Sequence, residues 1–271
     1  MHRSTPSPST GLASAGQPGA VETIAVLNAG SSSLKFSLFV DVRGELVADV
    51  RGQVEGLHTA PRFAASDRSG ELHVSGFSAG VRPLGHDGAL QRLIPFFQQR
   101  LGGRRLSAVG HRVVHGGLDY AGPVRAEPRV LTTLEHLARL APLHQPHNLA
   151  PIRPLQERLP DLPQVACFDT AFHRTSPDVA QRFALPAEPH DAGVRRYGFH
   201  GLSYEYITSV LPGYDSRASV GRTVVLHLGS GASMCAIAAS RGWRPRWGSA
   251  RWTGSPWGRA RARSTPASSC I

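Results

Sequence analysis

Apolar residues alternate with polar ones over the first part of the chain. The alternation predicts two paired strands over residues 23–27 and 34–40, and a third strand over 46–54. Between residues 87 and 101 the apolar positions recur every three or four residues, which is typical of a helix with one buried face. An apolar run over 106–114 predicts a buried strand that enters a His-Gly-Gly loop.

The same two periods continue through the rest of the chain. They predict an amphipathic helix over 130–138, a short strand over 164–168 and a helix over 201–211. Strands over 223–228 and 233–238 then flank a second turn rich in Gly and Ser. Because the two Gly/Ser hairpins resemble each other, we expect two related α/β lobes, each presenting a turn to a shared cleft.

The turn between the first two strands, residues 28–35, concentrates groups that suit phosphate. It contains the amide of Asn28, three consecutive serines and Lys35, which is the only lysine of the chain. Backbone N–H groups, hydroxyls and a positive charge in one small volume favour phosphate oxygens. The alternative interpretation is a surface hairpin whose Gly and Ser simply form the turn.

Composition narrows the class of protein. Apolar residues make up 41% of the 271 residues and charged residues 18%, as in globular proteins. No apolar run approaches the length of about 18 residues that a membrane span needs. Residues 1–21 are rich in Ser, Pro, Gly and Ala, which predicts a disordered leader. The three cysteines are scattered and odd in number, which favours free thiols and a cytoplasmic location.

The net charge of +11 raises the question of a nucleic-acid partner. Seven arginines lie in the last 31 residues, where there is no acidic residue, and subtracting those seven from +11 leaves +4. Most of the net positive charge of the chain therefore lies in the tail. We expect no nucleic-acid partner and no membrane association, although a non-catalytic basic binding module stays open as an alternative.

Six segments carry a family resemblance in a fixed order. They begin with Asn-Ala-Gly-Ser-Ser-Ser and continue with Gly-His-Arg-Val-Val-His-Gly-Gly, Ala-Pro-Leu-His-Gln-Pro-His-Asn, Phe-Asp-Thr-Ala-Phe-His, Arg-Tyr-Gly-Phe-His-Gly and His-Leu-Gly-Ser-Gly-Ala-Ser; these are residues 28–36, 110–117, 141–148, 168–173, 196–201 and 227–233. Together they resemble the acetate kinase (acetokinase) family of the sugar kinase/Hsp70/actin superfamily over about residues 22–239. The resemblance implies an α/β, ribonuclease H-like, two-lobed fold.

The resemblance implies direct phosphoryl transfer from ATP to acetate, giving ADP and acetyl phosphate. Such a reaction requires alignment of two anions and neutralisation of charge on the transferred group. Arg112 would hold the carboxylate, Asp169 would be catalytic, and His200 and His144 would lie near the phosphoryl group. Without the resemblance, Arg112 is equally explained by a surface ion pair, Asp169 by a helix N-cap or a salt bridge, and the histidines by structural roles.

Further roles come from the same resemblance. Asn28 would reach the Mg²⁺ (or Mn²⁺) ion or a phosphate, while Ser31, Ser33 and Lys35 would contact the phosphates of ATP. The second nucleotide loop would comprise His227, Leu228, Gly229, Ser230 and Gly231. The family usually has Asn at the position of Ser230, and a serine can also hydrogen-bond a phosphate oxygen.

The pocket for the methyl group of the substrate is expected to involve Val114, Leu143 and Phe199. A valine at 114 favours acetate, but one methylene discriminates by only about 1–3 kcal/mol. A propionate- or butyrate-type acyl kinase therefore remains an alternative.

The tail departs from the family. Residues 241–271 lack apolar periodicity, and in a shifted reading frame they are compatible with Thr-Ser-Met-Gly and Met-Gly-Thr-Arg elements of the family. We therefore expect a frameshift near residue 240, an N-terminal lobe over 22–170, a partial nucleotide-binding lobe over 171–240 and a disordered Arg-rich tail. An incomplete second lobe would impair activity, and it makes the homodimer of the family doubtful for this chain.

Overall fold

A computed structural model describes residues 22–70, 72–76, 83–229, 231–238 and 241–244. Its elements form two compact units, and the boundary between them along the chain lies between Ala171 and Phe172. The strands of the first unit are β1 (Glu22–Ala29), β2 (Ser33–Val42), β3 (Glu45–Glu55), β4 (Arg62–Asp67), β5 (Leu72–Gly76), β6 (Arg105–Val113), β7 (Val124–Arg125) and β8 (Gln164–Phe168). Its helices are α1 (Gly85–Leu101), α2 (Pro128–His136), α3 (Gln145–Leu149) and α4 (Ile152–Arg158), with a 3₁₀ turn at Leu137–Arg139.

The second unit is smaller. A 3₁₀ turn (Ala171–Thr175) spans the boundary and is followed by α5 (Asp178–Gln181), α6 (Ala187–Asp191), α7 (Gly201–Tyr214) and α8 (Ser216–Val220). Its strands are β9 (Arg222–Leu228), β10 (Ala232–Ala238) and β11 (Arg241–Arg244), which form an antiparallel sheet in the order β11-β10-β9.

The first unit is built on one sheet of eight strands in the order β5-β4-β3-β2-β1-β6-β8-β7. Strands β1 and β2 pair as an antiparallel hairpin, whereas β1, β6 and β8 run parallel to one another. The carboxyl ends of parallel strands meet at one edge of a sheet, which is where ligands bind in open α/β folds. Asn28, Arg112 and Asp169 lie at or next to these three strand ends.

The two faces of this sheet differ in how far they are covered. On one face Leu90, Leu93 and Phe97 of α1 pack with Leu27 of β1, and the rings of Phe36 and Phe97 lie 5.4 Å apart. On the same face, at its β6–β8 end, α2 and α4 pack against the sheet through the residues Val113, Leu131, Leu134, Ile152 and Phe168. The opposite face carries Asn28, Lys35 and Arg112 and is exposed or partly exposed.

The sheet of the second unit is covered on one face. Tyr204 of α7 is fully buried against Cys235 and Ile237 of β10, with Phe172 and Val225 packed at the margin. The opposite face of β9 presents exposed apolar side chains.

The structure confirms the strands and helices that the periodicity predicted, with three differences. Strands β4 and β5 extend the sheet although the sequence pattern did not predict them: β4 pairs with the free edge of β3, and β5 pairs with β4. Helix α7 continues through Pro212 to Tyr214, since a proline near the end of a helix forfeits only one backbone hydrogen bond. Residues 241–244, assigned from the sequence to an irregular tail, form β11.

The rest of the predicted leader and tail lies outside the described residues. No helix among those that are described is long and apolar enough to cross a membrane. Neither Cys167 nor Cys235 forms a disulfide within the described residues, and burial raises the pKa of Cys235 to about 11.

Candidate active site

Arg112 and Asp169 form a bidentate ion pair at the carboxyl ends of β6 and β8. The Nε and Nη2 groups of Arg112 donate to Oδ1 and Oδ2 of Asp169 at 3.1 and 2.6 Å. Its Nη1 group donates to Oδ1 of Asn28, at the end of β1, at 3.3 Å. Three of the residues proposed from the sequence are therefore in direct contact.

The environment of this ion pair is asymmetric. The Asp169 side chain is 2% exposed, whereas that of Arg112 is 35% exposed. Burial by itself lowers the pKa of the guanidinium, but the charge and hydrogen bonds of Asp169 outweigh that effect and raise the pKa of Arg112. A permanently charged arginine is thus oriented by a buried carboxylate, and about a third of its side chain remains exposed.

The Ser-rich turn lies beside this group. Lys35 is directly opposite Asn28 in the β1–β2 register, so both side chains lie on one face of the sheet. The turn is closed by the Gly30 N–H, which donates to the carbonyl of Ser33 at 2.8 Å. The side chains of Ser31 and Lys35 are exposed and that of Ser33 is partly exposed, so the first unit presents hydroxyls and a cation next to Arg112.

Asn148 connects the Ser-rich turn to the strand end after Arg112. Its Oδ1 accepts from the Val114 N–H at 2.9 Å, and its Nδ2 donates to the carbonyl of Ala29 at 2.5 Å. Asn148 is buried, so it fixes the backbone of β6 relative to that of β1. The sequence pattern predicted no role for Asn148, which is marked there only as a polar residue inside the 141–148 motif.

A second buried amide on α3, Gln145, holds the His-Gly-Gly loop. Its side chain accepts from the His115 N–H at 3.1 Å and donates to the carbonyls of His115 and Leu134 at 3.0 and 3.1 Å. The Thr170 hydroxyl accepts from the Gly116 N–H at 3.0 Å. Burial lowers the pKa of His115 to about 4, so its ring is neutral near pH 7.

The residues predicted to form the methyl pocket lie in different environments. Val114 is buried, whereas half of the Leu143 side chain is exposed, and Phe199 belongs to the second unit. His144 immediately precedes α3 and its side chain is partly exposed. The structure of the first unit therefore places Val114 beside the Arg112 site, while a pocket with all three residues stays a prediction.

In the second unit His200 and His227 stack on each other. Their ring centroids lie 4.1 Å apart, with an angle of 22° between the planes. Nδ1 of His200 lies 2.7 Å from the hydroxyl of Ser233, which lies 2.5 Å from that of Tyr204. His200 has a φ of +58°. Residues other than Gly keep this left-handed backbone conformation only when the surrounding structure enforces it.

The loop after β9 reaches this histidine pair. A Cβ added at Gly231 would lie 3.3 Å from Nε2 of His200, so only a residue without a side chain fits there without displacement. Gly229 belongs to the same loop, Leu228 is exposed at the end of β9, and Ser230 lies outside the described residues. His200 and His227, both predicted from the sequence, are thus brought together in one unit.

The side-chain oxygens near Arg112 are of the kind that a hard cation prefers, but they are too few to form a metal site by themselves. No cluster of three or more His, Cys, Asp or Glu side chains able to hold a metal occurs within the described ranges. Asn28 and Asp169 supply oxygen atoms, which Mg²⁺ prefers, and Mg²⁺ is commonly bound by one or two protein oxygens together with substrate phosphates. The side-chain oxygens of Asn28 and Asp169 accept from Arg112 in the structure, so a cation would bind their remaining lone pairs.

Comparison with known proteins places the chain in a family. The model of the acetokinase family matches residues 23–245. Acetate kinase of Rhizobium meliloti is 51% identical over 225 residues, which are 82% of this chain and 56% of that protein. Acetate kinase of Rhodopseudomonas palustris (strain ATCC BAA-98 / CGA009) is 48% identical over 224 residues, with 81% and 56% covered.

Solved structures of an acetate kinase and a propionate kinase are similar to this chain. The crystal structure of Porphyromonas gingivalis acetate kinase gives a TM-score of 0.70 at 33% identity, and that of a Francisella tularensis propionate kinase gives 0.72 at 31% identity; each comparison covers 82% of this chain and 56% of the other. The α/β fold class is confirmed. The chain spans about 56% of the length of these relatives. By its sequence, its fold and the order of its motifs, the chain belongs to the acetokinase family.

Proposed function

We propose that the chain carries the substrate site of an acetate kinase, which transfers the terminal phosphoryl group of ATP to acetate. The observation that carries this proposal is the hydrogen bonding of Arg112. A guanidinium has five N–H groups, and Asp169 and Asn28 accept from three of them. Two N–H groups are left for a ligand, on a side chain that is 35% exposed.

Two donors on a planar cation match the two oxygens of a carboxylate. Arg112 would bind the acetate carboxylate in this way, and Asp169 would hold the guanidinium in the required orientation. Val114 would contact the methyl group, together with Leu143 and Phe199. The carboxylate would then lie next to the Ser-rich turn, which is where an incoming phosphoryl group is needed for direct transfer.

The phosphate side of the reaction would use both hairpins. Ser31, Ser33 and Lys35 would bind ATP phosphates at the first turn, and residues 227–231 would bind the nucleotide at the second. His200 and His144 would donate to phosphoryl oxygens that gain charge in the transition state. Mg²⁺, held by Asn28 and by phosphate oxygens, would neutralise charge on the transferred group.

We propose that the chain as written has little or no kinase activity. His200, His227 and the second loop belong to a unit whose sheet has one face open to solvent. Catalysis of phosphoryl transfer depends on groups held rigidly at the position of the developing charge. The solvated face of an antiparallel sheet is normally polar, whereas Val224, Leu226 and Leu228 are exposed on β9, so we infer that these groups lack a supporting layer among the described residues. The proposed contacts of the acetate carboxylate, with Arg112 oriented by Asp169, lie within the first unit.

A propionate-type acyl kinase is the second candidate. It is favoured by the similarity to the Francisella tularensis propionate kinase. The two candidates differ at the methyl pocket, where replacement of Val114 by alanine would admit the additional methylene.

The remaining expectations are part of the same proposal. We propose a cytoplasmic protein whose ligands are acetate and ATP, without a nucleic-acid or membrane partner. Homodimerisation of the kind found in the family is doubtful for this chain.

Saturation-transfer NMR with acetate and the purified 271-residue chain tests the proposal. Acetate signals should be attenuated by wild type, and Arg112→Gln should weaken binding at least tenfold, because a charge-assisted hydrogen-bond pair contributes about 1.5–3 kcal/mol. Arg129→Gln is the matched control, since Arg129 is an exposed arginine of the same unit. Equal binding by the two variants, or no binding by wild type, would refute the proposed role of Arg112.

A further inference from the structure

The carbonyl groups of the Ser-rich turn are hydrogen-bonded within the first unit. The Gly30 carbonyl lies 2.8 Å from Nε2 of His86, and the Ser32 carbonyl accepts from the Leu57 N–H at 3.1 Å. The Ser33 carbonyl accepts from the Gly30 N–H at 2.8 Å. Because His86 and Leu57 are buried, the carbonyls of Gly30 and Ser32 are directed into the protein.

The direction of the Gly30 carbonyl decides what this turn offers to an anion. A peptide group is planar and trans, so the N–H of one residue points away from the carbonyl of the residue before it. The Ser31 N–H is therefore directed opposite to the Gly30 carbonyl, away from the buried His86. Since the side chain of Ser31 is exposed, the exposed side of the turn carries an N–H group and a hydroxyl, which attract phosphate oxygens, whereas a carbonyl there would repel them.

Neighbouring groups hold the His86 ring in place. The ring stacks on that of His147, with centroids 5.6 Å apart and an angle of 29° between the planes. The ring of His58 approaches it edge-on, with centroids 6.2 Å apart. At the start of α1 the Gly85 N–H donates to the carbonyl of Leu57 at 3.0 Å. The imidazole is therefore fixed relative to the backbone that flanks the turn.

The contact with Gly30 also defines the tautomer of His86. A carbonyl oxygen only accepts hydrogen bonds, so Nε2 of His86 must carry a hydrogen and donate it. Burial lowers the pKa of His86, the bond to Gly30 opposes this effect, and the nearby rings of His147 and His58 lower the pKa further. Near neutral pH the ring is therefore neutral, with its one N–H group on Nε2.

We propose that His86 is a positioning residue of the phosphate site, whose Nε2–H group holds the Gly30 peptide so that the Ser31 N–H faces the phosphates of ATP. The inference rests on the proposed function, which places those phosphates at the Ser-rich turn. Without the donor the buried Gly30 carbonyl would lose its partner, which is unfavourable. Rotation of the peptide would then direct the carbonyl oxygen toward water and the bound anion, and it would turn the Ser31 N–H away.

NMR titration of the ¹⁵N-labelled 271-residue chain with pyrophosphate tests the proposal, because the amide signal of Ser31 reports on this turn and not on the arginines of the tail. Wild type should show a saturable shift of that signal. His86→Phe keeps a buried ring but removes the donor, and it should raise the half-saturating concentration about tenfold, as expected for the loss of one hydrogen bond to an anion. His86→Gln should restore binding to within about threefold of wild type, because the glutamine amide supplies an N–H donor.

His190→Phe is the matched control. His190 is 8% exposed, as His86 is, but it lies on α6 of the second unit, and its Nε2 is 3.3 Å from Oδ1 of Asp178. Its replacement should leave the Ser31 titration unchanged. The ¹⁵N shifts of the His86 ring in wild type give a second readout, which serves even if His86→Phe does not fold. Near neutral pH they should show the tautomer with hydrogen on Nε2.

Equal pyrophosphate affinity of wild type and His86→Phe would overturn the proposal, and so would a loss that His86→Gln shares in full or a His86 ring with hydrogen on Nδ1 alone. These results would leave the phosphates of the proposed function at the Ser-rich turn. A wild-type Ser31 signal that pyrophosphate does not shift would overturn the proposal and also remove the phosphates from that turn. Binding of acetate at Arg112 is measured separately, so its failure is distinguishable from all of these results.

Discussion

Removing either partner of the Arg112–Asp169 pair should destabilise the first unit, and the two removals should differ in size. Arg112→Met leaves the carboxylate of Asp169, which is 2% exposed, without its two hydrogen bonds and without a counter-charge. Leaving one buried charge unpaired costs about 3–5 kcal/mol. Asp169→Ala leaves a guanidinium that is 35% exposed and still bonded to Asn28, so the loss should be about 2 kcal/mol.

Urea denaturation at pH 7, followed by far-ultraviolet circular dichroism, measures both changes in the free energy of unfolding. The double variant Arg112→Met/Asp169→Ala should be more stable than Arg112→Met alone, because it contains no unpaired charge. The reasoning fails if Asp169→Ala is the more damaging single substitution, or if the double variant loses the sum of both single losses. The conservative Arg112→Lys should be intermediate, since an ammonium supplies the charge without the bidentate geometry.

Val114→Ala should raise the affinity for propionate relative to acetate by about tenfold, within the 1–3 kcal/mol of one methylene, in competition NMR; an unchanged ratio would remove Val114 from the methyl pocket. Asn148→Ala leaves the buried Val114 N–H and Ala29 carbonyl without their partner and should cost about 2–4 kcal/mol in urea denaturation, whereas a loss below 1 kcal/mol would show that water replaces the amide. Gly198→Ala would place a Cβ 2.1 Å from Cγ of His173 and should cost about 1–3 kcal/mol; a neutral effect would mean that the ring moves freely. Burial lowers the pKa of both His111 and His115 to about 4. Between pH 6.5 and 4 the unfolded chain therefore binds a proton at each residue that the folded chain does not, and the stability from these two neutral rings should be complete above pH 6.5 and fall as the pH drops through this window. His111→Gln should make that fall smaller because only His115 then contributes, and a variant curve identical to that of wild type would contradict a buried neutral His111.

The hairpins could be predicted from the sequence, whereas other strands depend on the assembled sheet. Alternation of apolar residues around a Gly/Ser turn specifies a hairpin locally, which is why β1–β2 and β9–β10 were predicted correctly. The segment of β4 has weak strand propensity, and it forms because β3 offers backbone partners. Such pairing depends on the assembled sheet.

The site was predictable in its residues but not in its contacts. The motifs singled out Asn28, Arg112 and Asp169, and the hydrogen bonds between them follow from the parallel order of β1, β6 and β8. Asn148 and Gln145 stabilise the site from beneath through buried amides. Their roles depend on which backbone groups lie nearby in the folded chain, and no local pattern reveals that.

The formation of acetyl phosphate by the purified 271-residue chain, trapped with hydroxylamine, tests the central claim most directly. The account predicts that acetate binds at Arg112 while ATP, Mg²⁺ and acetate give no acyl hydroxamate above the enzyme-free blank. Turnover at the level of a family-length acetate kinase measured in parallel would contradict the claim that this chain holds the substrate site without a catalytically competent second lobe.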